Sequence, residues 1–140
     1  MNDLIRKLGI KPGQLVCMLD APSESRDDLR ALIGQQAEVS ILLERDRCYD
    51  QILFWPQTLD GLVERFVDLQ HQIVPDGSVW AIIPKKKFAA GRNIQFTWEE
   101  LQAAGLQTDL VDNKIASVSD QDYGTRFVIR KEHRRKDQLC

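Results

Sequence analysis

The sequence predicts one α/β domain with a mostly parallel sheet wrapped by helices, and three observations carry the prediction. Short apolar runs of strand length recur without polar alternation, as strands covered on both faces require. Segments of helical spacing alternate with these runs, giving the order β-α-β, then β-α-β-α, then two closing strands. A chain of 140 residues is also long enough to bury one self-supporting core. Short right-handed crossovers between such elements produce a parallel sheet with helices on both faces.

Leu8-Gly9-Ile10-Lys11-Pro12-Gly13 reads as a helix end and a turn ahead of the first strand, residues 15–19. Asp20 and Ala21 close that strand and Pro22 ends it. Ser23 and Ser25 are candidate N-caps of the following helix, and Glu24, Asp27 and Asp28 suit its positive end. Leu29, Leu32 and Ile33 share one face of it before Gly34, the expected C-cap. Residues 38–44, with Val39, Ile41, Leu42 and Leu43, and residues 52–55 are the second and third strands, both expected to be buried. Leu59, Leu62, Val63, Phe66, Val67, Ile73 and Val74 then fall largely at helical spacing. Pro75-Asp76-Gly77 is expected to end that helix and turn the chain into a fourth strand, 79–83. Thr97 with Glu100 forms a capping box for another helix, whose apolar side is Trp98, Leu101 and Ala104, with Gly105 at the place of a left-handed C-cap. Residues 110–118 and 126–129, separated by the turn-like Ser119-Asp120-Gln121-Asp122-Tyr123-Gly124, close the chain as an antiparallel hairpin.

Composition narrows the function classes. Apolar residues make up 43% of the chain, charged ones 29%, and the net charge is −2, so neither disorder nor a strongly basic nucleic-acid binder is favoured. Cys17, Cys48 and Cys140 form no C-x-x-C pair and have no histidine at ligand spacing, so the pattern suggests neither a disulfide framework nor a metal site, and a reducing, cytoplasmic setting is expected. Charge interrupts the first residues, and no apolar run reaches the length that spans a bilayer. One domain is expected over residues 1–132, with a basic tail, 133–140, expected to fray.

Asp50 opening the third strand, Pro75-Asp76-Gly77-Ser78 before the fourth and the terminal hairpin resemble the later half of a class I, Rossmann-like methyltransferase. Leu8-Gly9-Ile10-Lys11-Pro12-Gly13, Tyr49-Asp50, Pro75-Asp76-Gly77-Ser78-Val79-Trp80, Pro84-Lys85-Lys86 and Arg126-Phe127-Val128 resemble, more specifically, a family of short bacterial proteins classed as a domain of unknown function. That similarity spans nearly the whole chain. It implies a three-layer, six-stranded methyltransferase-like sheet of order 2-1-3-4-6-5, shortened because the stretch between Glu44 and Asp50 has no room for the usual extra helix and strand. Ligands in such sheets bind outside the carboxyl ends of the strands.

In active methyltransferases the loop after the first strand is glycine-rich, so that the chain turns tightly and the cofactor approaches the backbone. Here Asp20-Ala21-Pro22-Ser23-Glu24-Ser25 contains no glycine, Pro22 removes a donor, and acids already occupy the helix start. The preferred reading is a non-catalytic ligand- or partner-binding module without a cofactor. The alternative is a diverged methyltransferase in which Asp20, Glu44 and Trp55 bind S-adenosylmethionine, Glu44 standing where the family's ribose-binding acid would stand. Lys85, Lys86, Lys87 and Arg92 leave the fourth strand at the expected ligand edge and could hold a small anion or an acidic protein partner; the competing reading is a solvated lysine-rich loop. The charges of Arg130-Lys131-Glu132-His133-Arg134-Arg135-Lys136 read as a solvated tail, and no aromatic interleaving supports nucleic acid. No catalytic residue or metal ligand stands out. Cys17 reads as a core thiol, His71 as a helix flank, His133 as part of the tail, and Trp55, Trp80 and Trp98 chiefly as packing residues, with Trp55 also placed to line a pocket. Dimerisation through exposed apolar positions stays open.

Overall fold

The structure is a computed structural model that describes residues 3–134 and residue 140. Six strands form one sheet in the order β2-β1-β3-β4-β6-β5. They are β1 (Leu15–Leu19), β2 (Glu38–Ser40), β3 (Tyr49–Phe54), β4 (Ile73–Pro84), β5 (Leu110–Ser117) and β6 (Asp122–Ile129). β2, β1, β3 and β4 run parallel, while β6 pairs antiparallel with both β4 and β5. The six-stranded, methyltransferase-like order expected from the sequence is the order observed. Among the described residues the α-helices are α1 (Asp3–Leu8), α2 (Ser23–Gly34), α3 (Leu62–Gln70), α4 (Lys86–Ala89) and α5 (Trp98–Leu106).

The sheet separates two cores because successive strand residues point to opposite faces. Val16, Met18, Leu53, Trp80 and Ile82 pack with Ile5, Leu8, Leu29 and Ile33 of α1 and α2. Cys17, Leu19, Ile52, Phe54, Val79, Ala81 and Phe127 pack with Leu62, Phe66, Leu69, Leu101 and Ala104 of α3 and α5. Phe66 lies edge-on to Phe54 at 5.5 Å and tilted against Phe127 at 5.0 Å, contacts worth about 0.5–1.5 kcal/mol each beyond the area they bury. The short α1 is latched to the sheet by polar groups. Trp80 Nε1 donates to the Leu8 carbonyl at 3.1 Å, and Gln51 Nε2 to that of Gly9 at 3.1 Å, while Ser78 Oγ bonds Gln51 Oε1. Asp50 serves the backbone, accepting from the Leu15 amide at 2.8 Å and so pinning the start of β1 to β3.

Several boundaries differ from those the sequence pattern predicts. The second strand ends at Ser40 rather than 44, because Ser40 Oγ donates to the Leu42 carbonyl at 2.7 Å and accepts from the Leu42 amide at 3.3 Å. That hydroxyl turn competes with the sheet ladder and leaves Leu42 72% exposed, not buried in a strand. Ile73 and Val74 belong to β4, not to α3. Pro75-Asp76-Gly77 does not turn the chain but forms an irregular stretch inside β4, where the register with β3 shifts between Tyr49 and Gln51. A Cβ at Gly77 would lie 2.8 Å from the Asp50 carbonyl oxygen, so only glycine lets the strands close there. β6 begins at Asp122, which confines the hairpin turn to the preceding residues.

The helix ends also differ. α2 starts after Pro22 with no side-chain cap, and neither Ser23 nor Ser25 is its N-cap. Gly34 and Gly105 are helical residues and not left-handed caps. Gly105 answers to packing instead: a Cβ there would lie 2.4 Å from Cε1 of Phe127. The capping box of Thr97 and Glu100 is present as the sequence predicts.

The cysteine pattern is corrected as well. Cys48, in the loop before β3, is disulfide-bonded to Cys140, with Cα atoms 5.4 Å apart across a separation of 92 residues. Tertiary proximity makes this pair, and sequence spacing carries no trace of it. The rest of the expected frayed tail falls mainly on residues 135–139, which lie outside the described residues. Among the described residues, no helix is long and apolar enough to cross a membrane.

Candidate binding site at the carboxyl edge

The carboxyl ends of β1, β3 and β4 share one edge of the sheet with the start of β6. Asp20 leaves β1 with φ of +62°, a left-handed conformation that Asp tolerates better than most residues. Its exposed carboxylate stands 3.6 Å from the guanidinium of Arg65 on α3. The chain then enters α2 through Pro22, whose carbonyl accepts from the amides of Ser25 at 3.2 Å and Arg26 at 2.9 Å. Pro22 offers no amide and Glu24 puts negative charge in the first helical turn, so this helix start is poorly suited to an anion.

Of the other two residues read as cofactor ligands, Trp55 follows the carboxyl end of β3 at this edge, its amide donating to the Leu19 carbonyl at 3.1 Å, while Glu44 lies elsewhere. Trp55 is 2% exposed, and its indole packs into the α1–α2 core. It forms one wall of an apolar cleft of about 220 Å³ with Leu4, Leu29, Leu32 and Val118. Glu44 is carried back from the end of β2 by the turn at Ser40, along the α3 side of the sheet. Its carboxylate is 3.3 Å from Arg47, which also pairs with Glu38 at the first residue of β2. Its carbonyl accepts from Gln72, just before β4, at 2.7 Å. Glu44 therefore stands toward the amino-terminal edge, apart from Asp20 and Trp55, which neighbour each other after the paired ends of β1 and β3.

The lysine cluster is divided too. Lys85 precedes α4 and is half-buried, its amide donating to the Gln121 carbonyl at 2.6 Å. Lys86 and Lys87 are exposed, with the Lys87 ammonium 5.3 Å from the centre of the Phe88 ring. Arg92 is turned inward by a 3-10 turn, Ala90–Arg92, and by Asn93, which has φ of +62°. It meets the buried carboxylate of Asp122 at 2.7 Å, so its charge is already compensated. Asp122 opens β6 directly across from Pro84, a placement visible only once the strands are paired.

Besides the Trp55 cleft, this edge holds a cleft of about 520 Å³ between the start of α2 and residues 119–122, lined by Glu24, Arg92, Asp120 and Asp122, and a more apolar one beyond β4. The latter, of about 310 Å³, is lined by Ile83 and Pro84 from the strand, Ile94 and Phe96 from the following loop, Trp98 and Glu99 from α5, Tyr123 from β6, and Lys86. Its walls are mainly apolar. The Trp98 indole is fixed by donating to Thr125 Oγ1 at 2.8 Å, so its ring forms a rigid wall. Burial raises the pKa of the Tyr123 phenol above its ordinary value, and the charge of Glu99 adds to the effect. A mostly apolar recess with a few polar groups at its margin has the character of a small-ligand or side-chain pocket. Sequence reasoning missed it, because the Phe96-Thr97-Trp98 run reads as a helix start. Only the short α4, absent from the sequence-based reading, folds that run against the strand ends.

Nucleophiles are scarce here. Cys17 is buried, donates to the Leu42 carbonyl at 3.5 Å, and is pushed up to about 12, chiefly by burial. His71 caps α3 at the surface, and His133 Nδ1 lies 2.9 Å from Asp109. Among the described residues, no group of three or more His, Cys, Asp or Glu side chains gathers as a metal site would require.

Comparison with solved structures places the fold. A methyltransferase from Aquifex aeolicus that depends on S-adenosylmethionine superposes with a TM-score of 0.68 at 10% identity, covering 91% of this chain and 88% of the other. The Haloferax volcanii complex of the Trm112 methyltransferase activator with a methyltransferase gives 0.67 at 11% identity, covering 95% and 89%. At such identity the likeness is one of fold. Among curated proteins, uncharacterized proteins of Mycobacterium tuberculosis and Mycobacterium bovis are 34% identical over 86 residues, 60% of this chain. The match spans 54% of their length, about half of those relatives. Residues 5–131 match the family described as Protein of unknown function (DUF3052), and the chain belongs to that family.

Proposed function

We propose that this chain is a non-catalytic binding module on a methyltransferase-like scaffold, and that it takes an apolar group into the cleft at the carboxyl end of β4. The contrast between the two halves of the carboxyl edge carries this reading. Over β1, the loop that is glycine-rich in active methyltransferases is replaced by a Pro22-led helix start and an Asp20–Arg65 ion pair. Over β4 the recess is walled by the apolar Ile83, Phe96 and Trp98, whereas the cleft beside the α2 start is lined by Glu24, Asp120 and Asp122. The group bound is a small apolar ligand or an apolar side chain of a partner protein, with Lys86 and Glu99 at the margin to orient it. Lys85 and Lys87 extend the positive margin toward an acidic partner, to which Arg92 adds little while Asp122 holds it. The H. volcanii complex, in which a related fold is engaged by an activator protein, supports partner use of such a scaffold. The proposal places the module in the cytoplasm, and cell fractionation checks this, since the Cys48–Cys140 disulfide is the feature an oxidising compartment would favour.

The site is tested by titrating the protein with 1-anilinonaphthalene-8-sulfonate and following probe fluorescence. Saturable one-to-one binding is expected, weakened at least about tenfold by Ala89→Trp, which fills the cleft from α4. No saturable binding, or binding that Ala89→Trp leaves unchanged, would contradict the assignment.

A further inference from the structure

A second group of charges stands on the α1–α2 face of the sheet, away from the cleft. Arg126 lies across from Trp80 on one side and Lys114 on the other. The indole of Trp80 belongs to the α1–α2 core, which fixes the face to which Arg126 points. By strand alternation Arg130, one residue beyond β6, follows on the same face. The Lys114 ammonium reaches the Lys7 carbonyl in the last turn of α1 at 2.7 Å, and Arg134 Nε donates to the Ile129 carbonyl at 2.8 Å.

Among the described residues these cations have no carboxylate partner. Among the described residues, the arginines in ion pairs are Arg6, Arg26, Arg47, Arg65 and Arg92. Arg126, Arg130 and Arg134 pair with no carboxylate of the described residues. Arg130 Nε is moreover a buried donor without a hydrogen-bond partner, a condition that folded proteins avoid unless water, an ion or a ligand supplies the acceptor. Burial lowers the pKa of Arg126, and the nearby charge of Arg134 lowers it further. An anion between these groups would relieve both the repulsion and the orphaned donor.

We propose that Arg126, Arg130 and Arg134, with Lys114 at the margin, form a binding site for the phosphate group of a small molecule. Guanidinium groups present paired N–H donors that match phosphate oxygens, and three of them without a carboxylate favour a dianion. A small molecule is favoured over a nucleic-acid backbone because only a few cations stand on this face, on a chain of net charge −2. This site is independent of the apolar cleft, and neither proposal requires the other.

The test is thermal unfolding of the full chain in inorganic phosphate and pyrophosphate, each against sodium chloride of equal ionic strength. A saturable Tm rise on the order of 5 °C at ten times Kd is expected. Arg126→Gln combined with Arg130→Gln should abolish the rise, while its Tm without phosphate stays equal to or above that of the parent, since an uncompensated charge has been removed. Arg134→Gln alone, outside the strand, repeats the test should the double variant fold poorly. Replacing Lys85, Lys86 and Lys87 with Gln should leave the rise intact. A rise no larger than in chloride, or one that survives both arginine variants, overturns the proposal. Tighter, steeply salt-dependent binding of a short DNA duplex, lost in the double variant, would assign the site to a nucleic-acid backbone and overturn the small-molecule assignment.

Discussion

Gly105 and Gly34 both end helical stretches in the sequence, yet their surroundings are opposite. Nothing lies within 4 Å of a Cβ built on Gly34, whereas the Phe127 ring occupies the space beside Gly105. Gly34→Ala should stabilise the protein by up to about 1 kcal/mol through helix propensity. Gly105→Ala should destabilise it by about 1–3 kcal/mol through overpacking, and urea unfolding of the two variants checks both signs. Cys17 supplies a pH-dependent expectation. The folded thiol holds its proton to about 12, while the unfolded one releases it near 9.0. The unfolded state therefore binds fewer protons in that window, and stability falls as pH rises from about 9 toward 12, by at most about 1.4 kcal/mol per unit. The difference between the parent and Cys17→Ala, followed by urea unfolding at each pH, isolates this contribution; a constant difference would contradict it. From the sequence Cys17 is legible as a core thiol and Trp55 as a packing residue beside a pocket, but the places of Glu44 and Arg92 are not. Asp122, the partner of Arg92, is set by tertiary pairing alone, and Glu44, though its partner Arg47 is only three residues away, is displaced by the turn at Ser40.

The elements were most legible where local chemistry decides. The box at α5 pairs the Thr97 side chain with the Glu100 amide at 3.1 Å and the Glu100 side chain with the Thr97 amide at 3.0 Å. Thr97→Ala should cost about 1 kcal/mol, measured by urea unfolding, and a change below a few tenths would show that packing of Trp98 and Leu101 alone holds the helix start. Local signals misled where the sheet overrode them. Pro75-Asp76-Gly77 has turn composition but is drawn into β4, because Gly77 fits against the Asp50 carbonyl and the strand continues through the irregularity. Ile41 to Leu43 have strand composition but leave the sheet, because the Ser40 hydroxyl captures the Leu42 backbone. That departure carries Glu44 away from the ligand edge.

For the whole molecule, the strand order was legible because crossover handedness and short connections leave few alternatives for this succession of elements. The disulfide was not. Closing a loop of 92 residues should stabilise the chain by up to about 4–5 kcal/mol on the chain-entropy account. Cys48→Ser, or reduction with dithiothreitol, should lower Tm by ten degrees or more, checked by circular dichroism, and an unchanged Tm would mean that the bond contributes nothing in solution. The proposed function requires that this scaffold bind without the methyltransferase cofactor. The most direct test is a thermal-shift titration with S-adenosylmethionine and S-adenosylhomocysteine. No saturable change in Tm is expected with either compound. A saturable rise of several degrees, as binding at about 100 times Kd would produce, would contradict it and make Asp20 the first residue to replace.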